Sequence, residues 1–278
     1  HGQCSKSGRS FFVNAIHKVF DSLKKNNRKA LITYSVAGDP DLDSSEKIIR
    51  NFIHSGVDII EVGVPFSDPM AEGPSIQLGH ERALKNNISL KDILEMCFKI
   101  KKDHPNVPIV LMGYMNNFLS LNENLFSELK KHKIDGLIIV DLPYVESTEF
   151  LKKLNKEGID LIRLISPTTT NERVSKILSS SSGYLYYISL KGVTGSELKV
   201  SDELEKRVLS IKEQTDLPVV VGFGIKDAIT AKKMSSCSDG VVVGSLLVDE
   251  ISKFSSKEDN IMNKKLTSII DELKEGIA

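Results

Sequence analysis

Eight short apolar, β-branched runs, each followed by a segment of helical period, set the tightest limit on what this chain can fold into. The runs are Ala30–Gly38, Asp58–Gly63, Pro108–Tyr114, Gly136–Pro143, Asp160–Ser166, Tyr184–Leu190, Pro218–Gly224 and Gly240–Ser245. They are continuously apolar rather than alternating, which suits parallel strands covered on both faces. Between them lie amphipathic stretches such as SSEKIIRNFIHSG and DELEKRVLSIKEQ. Eight strand–helix units predict an α/β fold, a single (β/α)8 TIM barrel. A doubly wound open sheet is the rival, and it would want a switch point and usually fewer strands. The segment FFVNAIHKVFDSLKK puts Phe12, Ile16, Val19, Phe20 and Leu23 on one helical face, so an extra N-terminal helix is expected to close the bottom of the barrel. The barrel domain is expected over residues 11–278, with residues 1–10 either disordered or left over from expression.

Charge and cysteine usage narrow the function. Thirty-seven basic residues balance 37 acidic ones, so no net field draws in nucleic acid or an anionic membrane. Any anionic ligand must be held by a local site. No apolar run approaches the roughly 20 residues of a membrane helix, and the N-terminus lacks the apolar core of a signal peptide. Cys4, Cys97 and Cys237 have no paired spacing, which argues against a disulfide framework or a zinc site. A soluble, cytoplasmic chain without metal is expected.

In such a barrel, functional side chains come from the C-terminal ends of the strands and the loops that follow. The stretch EVGVPFSDPMAEGPSIQ, Glu61–Gln77, sets an acid among apolar neighbours and follows it with a loop rich in proline and acid. Glu61, flanked by Ile59, Ile60, Val62 and Val64, is the leading acid–base candidate, because desolvation raises a carboxyl's pKa toward working pH. The plain alternative is a strand-end glutamate paired to a helix. Glu72 and Asp68 lie in the loop, where the default for Asp68 is a turn cap, and Asp141 closes the fourth run. Glycines gather at the ends of the last three runs, in GVTGS (Gly192–Ser196), GFG (Gly222–Gly224) and VGS (Val243–Ser245). Bare backbone N–H groups there suit a phosphate, although each glycine alone could be a turn. Tyr34, Tyr114 and Tyr186, with Met112, Ile138, Val140 and Leu164, read either as barrel core or as an apolar slot for a flat ring.

Together these residues resemble a family. EVGVPFSDPMAEGPSIQ looks like the signature of the tryptophan synthase alpha chain, and AGDP, VDLP, GYLYYISLKGVTG, VGFGI and VVGS match further family segments in the same order. The resemblance implies a barrel that splits indole-3-glycerol phosphate into indole and glyceraldehyde 3-phosphate by a retro-aldol reaction. It implies Glu61 as the proton donor and acceptor, and Glu72 as the carboxylate that steadies positive charge at the indole N–H. It assigns the phosphate to Gly195, Gly224, Gly244 and Ser245, and the pocket to Tyr34, Tyr114, Tyr186 and Thr194. No cofactor is implied for this chain. The implied partner is a beta chain carrying pyridoxal phosphate (PLP), in an α2β2 complex, with the loop of Asp68 and Met70 facing it.

The chain departs from the family pattern at three places. Glu72 stands where aspartate is usual and is longer by one methylene. The Lys191–Gly192 pair and the segment Gly113–Phe118 differ from the commoner forms. Three other functions stay open on the sequence: a free-standing lyase that releases indole, a weakened subunit that mainly activates the beta chain, and a generic phosphate-binding isomerase.

Overall fold

The computed structural model describes residues 14–188, 197–222 and 224–278, with residues 197–201 described by backbone alone. Eight parallel strands close on themselves in chain order: β1 (Ala30–Val36), β2 (Ile59–Gly63), β3 (Ile109–Gly113), β4 (Gly136–Ile139), β5 (Asp160–Ile165), β6 (Leu185–Ile188), β7 (Val219–Gly222) and β8 (Gly240–Val243). The last pairs back to the first, with Ala30 opposite Gly240. A closed barrel with no edge strand removes the open-sheet alternative. The helices are α1 (Ala15–Lys25), α2 (Leu42–His54), α3 (Pro74–Leu84), α4 (Leu90–Asp103), α5 (Met115–Leu119), α6 (Leu125–Lys131), α7 (Tyr144–Lys156), α8 (Asn171–Leu178), α9 (Glu197–Lys212), α10 (Ala228–Ser235), α11 (Ser245–Ile251) and α12 (Asp259–Ile277).

Strand parity divides the core into two bodies. Leu31, Ile60, Val62, Leu111, Leu137, Leu161, Leu185, Val219 and Val241 point outward and pack under the helices. Ile32, Tyr34, Ile59, Val110, Ile138, Ile162, Val220 and Val242 point inward and fill the barrel. Both faces of each strand are buried, which is why the runs read as continuously apolar. All eight expected strands are present. The fourth is shorter than the run suggests, because the chain turns after Ile139, with Leu142 N–H bonding back to Ile139 O at 3.4 Å. Asp141 therefore lies beyond the strand, exposed, and accepts the Met115 N–H at 2.7 Å.

The floor is built from α1 and a set of acids. Asn14 caps α1, and Ile16, Phe20 and Leu23 bury their side chains in the same cluster as the inward strand residues. Phe12 lies outside the described residues. At the strands' N-terminal ends, Asp58, Asp135 and Asp239 accept the backbone N–H of Leu31, Ile109 and Val219, each on the neighbouring strand, at 2.8–2.9 Å. Each acid satisfies a donor that a barrel end would otherwise leave unpaired. Pairing the strand ends at the floor leaves the C-terminal mouth free for chemistry.

Candidate active site

Glu61 sits in the middle of β2, opposite Tyr34 on β1 and Val110 on β3. Its parity with Ile59 turns it into the barrel, where it is fully buried. The Tyr184 hydroxyl donates to Glu61 Oε1 at 2.5 Å, while Oε2 has no partner among the described residues. Burial pushes this carboxyl up to about 8, and the Tyr184 hydrogen bond only partly offsets it. At neutral pH Glu61 therefore holds a proton, with one buried oxygen left unpaired among the described residues. It is no strand-end carboxylate paired to a helix.

The second acid is placed by its loop. Pro65 O accepts from Asn117 Nδ2 at 2.9 Å, Phe66 N–H donates to His80 Nδ1 at 3.1 Å, and Ala71 N–H donates to the Tyr114 hydroxyl at 3.1 Å. The Phe66 ring stacks on Tyr114, 4.5 Å between centroids. Three prolines and these four ties hold the loop in one shape. They set Glu72 half-buried, where its carboxylate accepts a hydrogen bond from the Tyr114 hydroxyl. Burial raises the Glu72 pKa and the Tyr114 hydrogen bond pulls it back.

The three tyrosines expected in the pocket ring the same space. Burial raises the Tyr34 hydroxyl's pKa, and the charges of Glu72 and Glu61 raise it further. Burial and the same two acids act on Tyr186. Both rings fit only because glycine faces them. A Cβ on Gly63 would lie 2.2 Å from Tyr34 Oη, and one on Gly222 would lie 2.3 Å from Tyr186 Oη. Met112 and Leu164 line the inner cluster with these tyrosines, and Ile138 is ordinary core beneath them.

Two functional neighbours went unread in the sequence. Tyr184 shares the inward parity of Tyr186, so the spacing in YLYY could have shown it. His80, on α3, carried no sequence signal. Its Nδ1 accepts the Phe66 N–H, so Nε2 bears the proton and faces the Tyr34 hydroxyl at 3.3 Å. Burial lowers the His80 pKa to about 4, which keeps it neutral.

The glycine side of the mouth is partly described. Gly224 follows β7 with φ +54°, in the left-handed region that favours glycine. The next helix, α10, is already capped by Asp227. After β8, Gly244 is the N-cap of α11 without a side-chain cap, and Ser245 is exposed at its first turn. Gly195 and Thr194 lie outside the described residues. Asp68 is exposed and accepts a hydrogen bond from the Ser67 hydroxyl at 2.6 Å, while Met70 is 87% exposed. Among the described residues no helix is long and apolar enough to cross a membrane.

Fold and mouth together define a (β/α)8-barrel enzyme with two acids and a cluster of tyrosines at its C-terminal end. Residues 20–278 match the family model described as tryptophan synthase alpha chain. The tryptophan synthase alpha chain of Marinobacter nauticus is 43% identical over 266 residues, covering 95% of this chain and 98% of the relative. That of Geotalea daltonii is 43% identical over 267 residues, covering 96% and 100%. The crystal structure of tryptophan synthase subunit alpha from Legionella pneumophila superposes with a TM-score of 0.86 at 35% identity, over 96% of this chain and 99% of that one. The chain belongs to the tryptophan synthase alpha chain family.

Proposed function

We propose that the barrel mouth cleaves indole-3-glycerol phosphate with Glu61 and Glu72 in separate roles. By family the chain is a lyase of tryptophan biosynthesis, releasing indole and glyceraldehyde 3-phosphate, and its partner is the beta chain. Protonated Glu61 gives its proton to indole C3, which places positive charge on the ring nitrogen. Glu72 accepts the ring N–H and steadies that charge. The Glu61 carboxylate then takes the proton of the side-chain hydroxyl as the carbon–carbon bond breaks. Its electron pair returns to the ring, and the two products form with Glu61 reprotonated.

The observation that carries this reading is the buried, proton-holding Glu61 with one oxygen unpartnered inside a ring of tyrosines. Tyr34, Tyr114, Tyr186 and Thr194 enclose the indole in this reading. Its phosphate meets the backbone of Gly195, Gly224 and Gly244 and the hydroxyl of Ser245, where an uncapped first turn favours an anion. The chain uses no cofactor of its own, PLP belongs to the beta chain, and the α2β2 enzyme is cytoplasmic. Residues 11–278 act as one domain. Met70 in the loop after β2, Leu119 at the end of α5 and Val145 in the first turn of α7 are exposed apolar residues on the segments that follow β2, β3 and β4, and the beta chain docks on them.

The test is indole release from indole-3-glycerol phosphate by the purified chain, alone and with a matched beta chain. Weak cleavage that rises strongly with the partner is expected. Fast cleavage by the chain alone would make it a free-standing lyase, and no cleavage in either condition would remove Glu61 and Glu72 from these roles.

A further inference from the structure

The described arginines divide sharply by environment. Arg28, Arg50 and Arg82 each meet a carboxylate, at 3.6, 2.8 and 2.7 Å. Arg163, Arg173 and Arg207 meet none among the described residues, and all three surround the turn Ser166–Thr170 between β5 and α8. Arg207 braces the turn from behind, donating to Thr169 O and to Asn171 Oδ1. Arg163 points outward from β5 and is only 8% exposed. Its Nη2 donates to Leu142 O at 2.9 Å, but Nε and Nη1 are buried with no partner among the described residues.

A buried guanidinium with idle donors is costly, since desolvating a charge without a counter-charge takes several kcal/mol. Burial and the nearby Arg173 lower the Arg163 pKa only to about 10, so it stays charged at neutral pH. It opens into a cavity of about 250 Å³ that Arg173, Ser166, Thr168 and Thr169 also line. The Ser166 hydroxyl lies 2.9 Å from Thr168 Oγ1 and 3.1 Å from Thr169 Oγ1, and each hydroxyl can turn a proton to a guest. Two cations, three hydroxyls and no carboxylate among the described lining residues make a receptor for an acceptor-only group. The same cavity reaches the mouth past Leu164 and Ile188, which gives a small molecule a way in. The site lies three strands round the barrel from β8, away from the glycine side of the mouth.

We propose that this cavity is a second anion site, binding a small oxyanion of the phosphate class through Arg163, Arg173 and the hydroxyls of Ser166 and Thr168. It holds the anion at the rim, outside the space ringed by the two acids.

Equilibrium dialysis of the full chain against labelled inorganic phosphate tests it, with Arg163→Met as the variant because methionine keeps the apolar stem. The native chain is expected to bind one more phosphate than the variant, and equal binding would overturn the site. Ser245→Asp sets a carboxylate on the glycine side; the Arg163-dependent phosphate should survive it, and its loss there would mean a single site and end the proposal. Thermal melts guard against a purely structural role. Without phosphate, Arg163→Met should melt no lower than the native chain, and added phosphate should raise the native melting temperature more. A variant destabilised equally with and without phosphate would make Arg163 a tether for Leu142 O and nothing else.

Discussion

Tyr184 Oη lies 2.5 Å from Glu61 Oε1 across the inside of the barrel, 123 residues away in the chain. That contact fixes the carboxyl's position, and burial fixes its proton. Glu61→Gln is close to isosteric and neutral, so the fold should persist while indole release falls by about 10²- to 10⁴-fold. Steady-state assays beside a thermal melt check both halves; normal turnover would take Glu61 out of the mechanism.

The same carboxyl makes stability depend on pH. Its ordinary value of 4.5 rises to about 8 on folding. Between those values the folded chain holds a proton that the unfolded chain has released. The contribution is complete below 4.5 and is lost as pH rises through 8, with a slope of at most about 1.4 kcal/mol per pH unit. Denaturant melts across this range should show the slope in the native chain and its absence in Glu61→Gln. In kcat/KM, cleavage should decline above about 8 as Glu61 loses its proton.

Glu72 and Tyr114 act as a unit. Glu72→Asp draws the carboxylate back by one methylene and breaks its contact with the Tyr114 hydroxyl; Tyr114→Phe breaks the same contact from the other side. Each is expected to cost about 10- to 100-fold in kcat, since small misplacements of a reacting group are expensive. The double variant should be little worse than either single one. Additive losses in that cycle would show two independent roles.

His80 titrates in the opposite sense to Glu61. Its folded value of about 4 lies below the ordinary 6.5. Its stabilisation is complete above 6.5 and is lost as pH falls through 4, by up to roughly 3 kcal/mol. His80→Asn offers an oxygen to the Phe66 N–H but does not titrate, so acid melts of that variant should be flatter between pH 6.5 and 4. An unchanged acid limb would place the acid sensitivity elsewhere.

On the floor, Lys101 Nζ donates to Pro105 O, Val107 O and Asp135, and Asp135 in turn accepts the Ile109 N–H. Lys101→Met strands a mostly buried carboxylate and should cost about 3–5 kcal/mol in a chemical melt. Adding Asp135→Asn, which removes the charge and keeps an acceptor, should recover part of that loss. No recovery would assign the cost to the two carbonyls that Lys101 also serves.

Much of this was legible in the chain itself. The eight strands showed as apolar runs because each is buried on both faces, and α1 showed through the spacing of Ile16, Phe20 and Leu23. Glu61 stood out because a carboxylate in DIIEVGV interrupts an otherwise apolar strand. The end of the fourth strand was overrun because Val140 and Leu142 are as apolar as the strand before them. Only the turn and the Asp141 contact show where pairing stops.

Sequence alone thus determined the barrel and its floor helix and singled out Glu61 as an acid among apolar neighbours, since period, burial and residue type are properties of each segment. The tertiary structure decided the rest. Tyr184 reaches Glu61, and His80 reaches Tyr34 from 46 residues away, only after the barrel closes. Arg163 is an ordinary strand residue in the sequence; its charge lacks a counter-charge among the described residues because closure buries it where none of their carboxylates reaches. Contacts between distant segments are set by which strands become neighbours, and no local pattern encodes that.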